Sequence, residues 1–92
     1  MKDLLFEHLN KYHVGKANAI TSRDLQGVLQ CGGVEIREMV NALRCEGKPI
    51  CSDKSGYYIA KNRDELTITI NHLRSRCHSM LLAIRGMEGV SQ

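Results

Sequence analysis

The sequence predicts a mainly α-helical chain with one small β-hairpin, closed by a long C-terminal helix. Three observations carry that expectation. Apolar residues recur at helical spacing in three short segments before residue 47 and in one long segment after residue 62. Two β-prone runs, Ile50-Cys51-Ser52 and Tyr57-Tyr58-Ile59-Ala60, flank a turn at Asp53-Lys54-Ser55-Gly56. Gly32-Gly33, Gly47 and Pro49 interrupt the helical pattern where corners are needed.

The first helix is expected over residues 3–13, with Leu5, Leu9 and Tyr12 repeating on one stripe and Leu4 alongside. Val14-Gly15 ends it, and residues 17–20 read as a short extended segment that can lend the hairpin a third strand. Thr21 with Asp24 forms an Asp variant of the capping box, so a second helix starts there. It should run to about Cys31 and bury Leu25, Val28 and Leu29. Gly32-Gly33 supplies the tight corner before a third helix over residues 34–46. Ile36, Met39, Val40 and Leu43 make its apolar face, and Arg37, Asn41 and Arg44 mark the opposite one. In the hairpin, strand alternation is read as placing Tyr57 inward and leaving Tyr58 partly exposed. Asn62 can cap the last helix, in which Leu66, Ile70, Leu73, Cys77, Met80, Ile84 and Met87 follow the alternating four- and three-residue spacing of a coiled-coil seam. Residues 1–61 are read as one domain and residues 62–92 as its helical extension.

Composition narrows the class. The 92 residues suffice for one domain, and an aromatic content of 4% demands an aliphatic core. No apolar run reaches the roughly 20 residues that span a bilayer. The start of the chain carries charges on both sides of a short apolar stretch, which does not suit a secretory signal, so a cytoplasmic, reducing setting is expected. Cys31, Cys45, Cys51 and Cys77 form no CxxC pair. They read as small buried hydrophobes, with a Cys45–Cys51 redox pair and a metal site near His72, Cys77 and His78 as lesser alternatives. No metal or other cofactor is expected. The four histidines have no acid or nucleophile at a motif spacing, and no phosphate-cradling glycine loop is present, so the chain does not read as an enzyme.

The net charge of +3 permits a nucleic-acid partner without requiring one. Residues 21–60 carry five Lys/Arg and five Asp/Glu, so the central segment is neutral. Residues 61–92 carry five Lys/Arg against three Asp/Glu. A neutral centre argues against a strong, indiscriminate electrostatic binder.

The stretch Glu35-Ile36-Arg37-Glu38-Met39-Val40-Asn41-Ala42-Leu43-Arg44-Cys45-Glu46-Gly47-Lys48-Pro49-Ile50-Cys51-Ser52, leading into Gly56-Tyr57-Tyr58-Ile59-Ala60, resembles small winged helix-turn-helix proteins encoded by phages and prophages of Gram-positive bacteria. It is also similar to the bacterial regulator type in which a leucine-arginine pair ends the recognition helix before a glycine and the wing. The resemblance covers about residues 20–85 and is most specific at 43–60. It implies a winged helix fold, double-stranded DNA as partner and no catalysis.

In such a module the third helix enters the major groove. Arg37, Asn41 and Arg44 are then the base readers, since arginine grips guanine and asparagine adenine. Lys54 and Ser55 at the wing tip, Tyr58 on the wing, and Ser22 and Arg23 at the start of the second helix are candidate DNA contacts. A helix over residues 62–85 would overshoot a compact body, although its first half can pack on helix one. Its second half calls for a homodimer, with Leu73, Cys77, Met80, Leu81 and Ile84 at the interface. Arg74, Arg76 and Arg85 read as charges flanking that seam. The expected function is sequence-specific duplex DNA binding by a dimeric transcriptional regulator or replication accessory protein. The competing expectation is a protein-interaction module that uses the winged helix as scaffold and the last helix for docking.

Overall fold

The computed structural model describes residues 1–90. Four α-helices and a two-stranded antiparallel sheet follow in the order α1 (Lys2–Tyr12), α2 (Ser22–Leu29), α3 (Gly33–Cys45), β1 (Ile50–Asp53), β2 (Gly56–Ile59) and α4 (Arg63–Glu88). A single 3-10 turn, Lys16–Asn18, lies between α1 and α2. The fold is therefore mainly helical with a small hairpin, α+β, and it ends in a long helix.

Local chemistry explains most boundaries. Thr21 accepts the Asp24 amide at 3.1 Å and Asn62 accepts the Glu65 amide at 3.0 Å, so both expected caps form. The Asp24 carboxylate makes no return bond among the described residues, so the expected box is half made. The corner between α2 and α3 differs in detail from expectation. The second helix stops at Leu29, and the left-handed residue is Gln30 (φ 54°), not a glycine. The Gln30 and Cys31 amides both donate to the Gln26 carbonyl, which closes the helix end and offsets the strain. Gly32 and Gly33 instead begin α3, where the Glu35 carboxylate accepts the Gly32 amide at 3.3 Å.

Leu5 and Leu9 of α1, Leu25 of α2, and Ile36, Val40 and Leu43 of α3 form the core with Ile20, Ile50 and Ile59. Leu4 and Tyr12, expected on the buried stripe of α1, are exposed, as is Val28 of α2. Each lies off the narrow line on which three short helices meet, and the thin core of a small chain leaves it uncovered. The segment before α2 does not become a third strand. Only Ile20 bridges to Tyr57, and Val14 to Ile59, because the 3-10 turn diverts the chain between them.

The hairpin is buried on both faces. Ile50 pairs with Ile59 and turns to the core, while Cys51 pairs with Tyr58 on the other face. That second face is covered by α4, which packs on β1, whereas α1 packs on α3 and β2. The expected packing of α4 along α1 is thus replaced by packing on the hairpin. Tyr58 is consequently 3% exposed, not partly exposed as expected, while Tyr57 does turn to the core and packs against it half-buried. Burial pushes the Cys51 thiol and the Tyr58 phenol above their ordinary pKa values. The Glu65 carboxylate ties α4 down further, accepting the Lys16 amide at 3.0 Å and the Lys61 amide at 2.9 Å.

All four cysteines are free. Cys51 is buried as a small hydrophobe, but Cys45 is exposed at the end of α3, and Cys77 is exposed because α4 has outrun the body at that point. Beyond residue 73, α4 has no buried residue among those described, and its 26 residues extend about 39 Å at about 1.5 Å per residue. The described chain measures 52 × 30 × 23 Å, its long dimension reflecting that projection.

Two glycines test this packing in opposite directions. Gly56 has φ +118°, and a Cβ there would lie 2.1 Å from the Ile20 carbonyl oxygen. Gly27 lies within α2 with open space where its Cβ would be. Gly56→Ala is expected to lower folding stability by about 3 kcal/mol. Gly27→Ala should raise it by about 0.5–1 kcal/mol. Urea denaturation midpoints check both, and equal shifts in the same direction would contradict the described turn.

Candidate nucleic-acid interface

Helical geometry turns Arg37 and Asn41 outward. Ile36, Val40 and Leu43 bury one side of α3, and both polar residues are exposed on another. The Arg37 guanidinium reaches back toward the α2–α3 corner, its Nη1 3.9 Å from where a Cβ on Gly33 would stand. Gln26 lies at the same corner and donates from Nε2 to the Ser22 hydroxyl oxygen at 3.1 Å. Ser22 is half-buried, and Arg23 beside it is exposed.

The start of α2 and the hairpin tip meet in one cleft of about 350 Å³, walled by Thr21, Ser22, Ser52, Asp53, Lys54 and Tyr57. Gly56 makes this possible, since its missing side chain lets the tip sit against the backbone of Ile20 and Thr21. Lys54 and Ser55 are exposed at the tip, where the Ser55 amide donates to the Asp53 carboxylate at 2.7 Å. Asp53 also faces Lys16 Nζ at 3.5 Å. The structure therefore brings Ser22 and Lys54 together and leaves Arg37 and Asn41 on the neighbouring helix face.

Two expected contacts are relocated. Tyr58 lies beneath α4 and presents nothing to an outside ligand. Arg44 does not extend from α3 alongside Arg37 and Asn41. Its Nε donates to the Ile50 carbonyl at 2.8 Å and its Nη2 to the Ser52 hydroxyl at 3.1 Å. The side chain thereby covers the free edge of β1, a strand edge that would otherwise carry an unpaired carbonyl. Burial lowers the pKa of its guanidinium from the ordinary value, countered by Tyr57 and Cys51 and reinforced by the nearby positive charge of Arg76. Arg44 is a hairpin clamp first.

Sequence reasoning missed the neighbours that α4 brings to this surface. Ser52, Asp53, Thr69, His72, Ser75 and Arg76 line a groove of about 440 Å³ between β1 and α4. Arg76 was legible only as a surface charge, because nothing local relates residue 76 to residue 44. Ser52 and Asp53 wall this groove and the Lys54 cleft alike, so the two adjoin at the end of β1.

The expected dimer residues divide into two sets. Leu73 is half-buried and shares a cleft of about 290 Å³ with Leu66, Ile70, Pro49 and Ile50. Cys77, Met80, Leu81 and Ile84 are exposed, Met80 by 61%. Among the described residues, no group of three or more His, Cys, Asp or Glu side chains is placed to hold a metal ion. No described helix is long and apolar enough to cross a membrane.

Comparisons with protein families, with curated proteins and with solved structures find no match to this chain. The site's own geometry therefore carries the functional argument.

Arg44→Ala removes two hydrogen bonds from a half-buried cation and should lower folding stability by about 1–3 kcal/mol. Arg37→Ala, at an exposed side chain, should stay within about 0.5 kcal/mol of the parent. Equal stabilities in urea denaturation would contradict the clamp assigned to Arg44.

Proposed function

We propose that this protein binds duplex DNA in the cytoplasm as a dimer of winged helix-turn-helix units, in the manner of a phage or prophage transcriptional regulator or replication accessory protein, without catalysis or a cofactor. The observation that carries this reading is the outward face of α3. Arg37 and Asn41 stand there exposed, and neither makes a side-chain hydrogen bond or ion pair among the described residues. Such donors on the helix that follows a tight helix-helix corner suit base edges in a major groove.

The order of elements supports the same reading. Two helices meet at a short corner, the second is followed by a hairpin, and the hairpin tip with Lys54 lies beside the start of α2. On this reading Arg37 and Asn41 read bases. Lys54, Ser55, Ser22 and Arg23 hold the phosphate backbone on either side and fix the register. The neutral charge of residues 21–60 limits what one copy achieves by electrostatics alone. Two copies joined through Leu73, Cys77, Met80, Leu81 and Ile84 would double the contact and match a palindromic site.

A second reading is favoured by one feature. Leu81 and Leu82 are exposed along with Met80 and Ile84, so the outer part of α4 is apolar around its circumference and not only along one seam. A heterologous protein partner that encloses this segment would make the chain an interaction module.

Fluorescence anisotropy with a pool of labelled duplexes at low salt separates these readings. The DNA reading expects micromolar or tighter binding and loss of about 5-fold to 150-fold in affinity for the preferred site in Arg37→Ala or Asn41→Ala. Failure of the parent protein to bind any duplex under those conditions would sink it. Light scattering at tens of micromolar tests the assembly separately: a dimeric mass is expected for the parent protein and a monomeric mass for Met80→Asp. A monomeric parent would remove the dimer.

A further inference from the structure

We propose that the groove between β1 and α4, lined by Ser52, His72, Ser75 and Arg76 with Arg44 bonded to Ser52 behind it, is a phosphate site, and that it receives a backbone phosphodiester of bound duplex DNA. The second part rests on the DNA reading above and deepens it, adding α4 to the contact surface.

The first support is an uncompensated charge. Arg44 is half-buried, yet among the described residues no carboxylate lies within 4.0 Å of it or of Arg76. Buried cations are ordinarily paired, because desolvation is costly without a counter-charge. Here the nearby ionic group is a second cation, Arg76, whose proximity disfavours the charge on Arg44. An anion held by Arg76 in the groove would offset that field at Arg44.

The second support is the supply of donors. Ser52 Oγ already accepts from Arg44 Nη2, so its own hydroxyl proton is free to donate toward the groove it lines. Ser75 and His72 line the same groove from one face of α4. On its floor, Thr69 is 4% exposed, with its hydroxyl beside the buried Cys51 thiol and Tyr58 phenol. The carboxylate among the lining residues, Asp53, is engaged by Lys16 and by the Ser55 amide toward the hairpin tip. It therefore does not neutralise Arg44 or Arg76.

The third support concerns the source of the phosphate. Ser52 and Asp53 belong both to this groove and to the cleft that holds Ser22 and Lys54. A strand crossing from the start of α2 over the hairpin would run directly onto Arg76. Arginine suits the task, since its planar fork grips phosphate oxygens in pairs.

The test has two arms. Inorganic phosphate titrated into the labelled parent protein should give saturable shifts at the Ser52 and Thr69 amides and the Arg44 Nε–H. Those shifts should be absent in Arg76→Ala, whose exposed side chain leaves the thermal midpoint unchanged. No shift at these groups up to tens of millimolar phosphate overturns the site. In the second arm, Arg76→Ala should weaken duplex binding about tenfold for preferred and unrelated sequences alike. It should also reduce the slope of log K against log salt by about 0.9, the signature of one lost phosphate contact. Arg76→Lys should restore most of the affinity. Unchanged affinity and slope in Arg76→Ala, with the parent protein binding duplex, overturn the DNA source while leaving the DNA reading intact. A parent protein that binds no duplex overturns the function above, and the phosphate arm alone then decides the groove.

Discussion

The hairpin's burial on both faces is the constraint on which the rest of the structure depends. Two four-residue strands are not stable in isolation, so everything around them is arranged to enclose them. Ile50 and Ile59 close the three-helix core from one side, and Cys51 and Tyr58 receive α4 on the other. The Glu65 carboxylate, held to two backbone amides, sets the angle at which α4 leaves the hairpin. Burial of the Cys51 thiol against the Glu65 carbonyl, at 3.6 Å, and of Tyr58 follows from that angle. The same layer brings Arg76 into the field of Arg44.

Electrostatically, the chain has a neutral centre by count and an uneven one by arrangement. Several carboxylates are occupied within the fold. Glu46 pairs with Lys2, Asp53 with Lys16 and the Ser55 amide, Glu35 with the Gly32 amide, and Glu65 with two further amides. Arg23, Arg37, Lys54 and Arg76 have no such engagement among the described residues. Counting charges along the sequence weights both groups equally. Surface potential does not, because a carboxylate paired with a cation, as Glu46 and Asp53 are, projects less field than an unpaired arginine.

The long helix is two devices in one. Its first half is a lid over the hairpin, with Thr69 buried and Leu66, Ile70 and Leu73 half-buried. Its second half contributes nothing to the body's core and carries a dense set of exposed aliphatic side chains. Single exposed apolar residues need no explanation, but a set as dense as Met80, Leu81, Leu82, Ile84 and Met87 is where the proposed dimer or partner contact would be made. A heptad pattern reads the same along both halves, since it records periodicity and is silent on which neighbour fills it.

The sequence by itself determined the elements and most of their ends. Thr21 and Asn62 cap helices because their side chains meet amides only three residues away. Arg37 and Asn41 were legible as an outward pair because a helix's own apolar face fixes its opposite. The local pattern missed the corner at Gln30, where two amides sharing one carbonyl made a left-handed glutamine affordable and freed the glycines to start α3. Tertiary structure alone decided that Tyr58 is buried on the second face, where Arg44 points, and that Arg76 lies in its field. Strand alternation sorts side chains into two faces but cannot say that both faces are covered. A guanidinium on a long stem takes whichever acceptors the packed chain offers, and here those are the Ile50 carbonyl and the Ser52 hydroxyl.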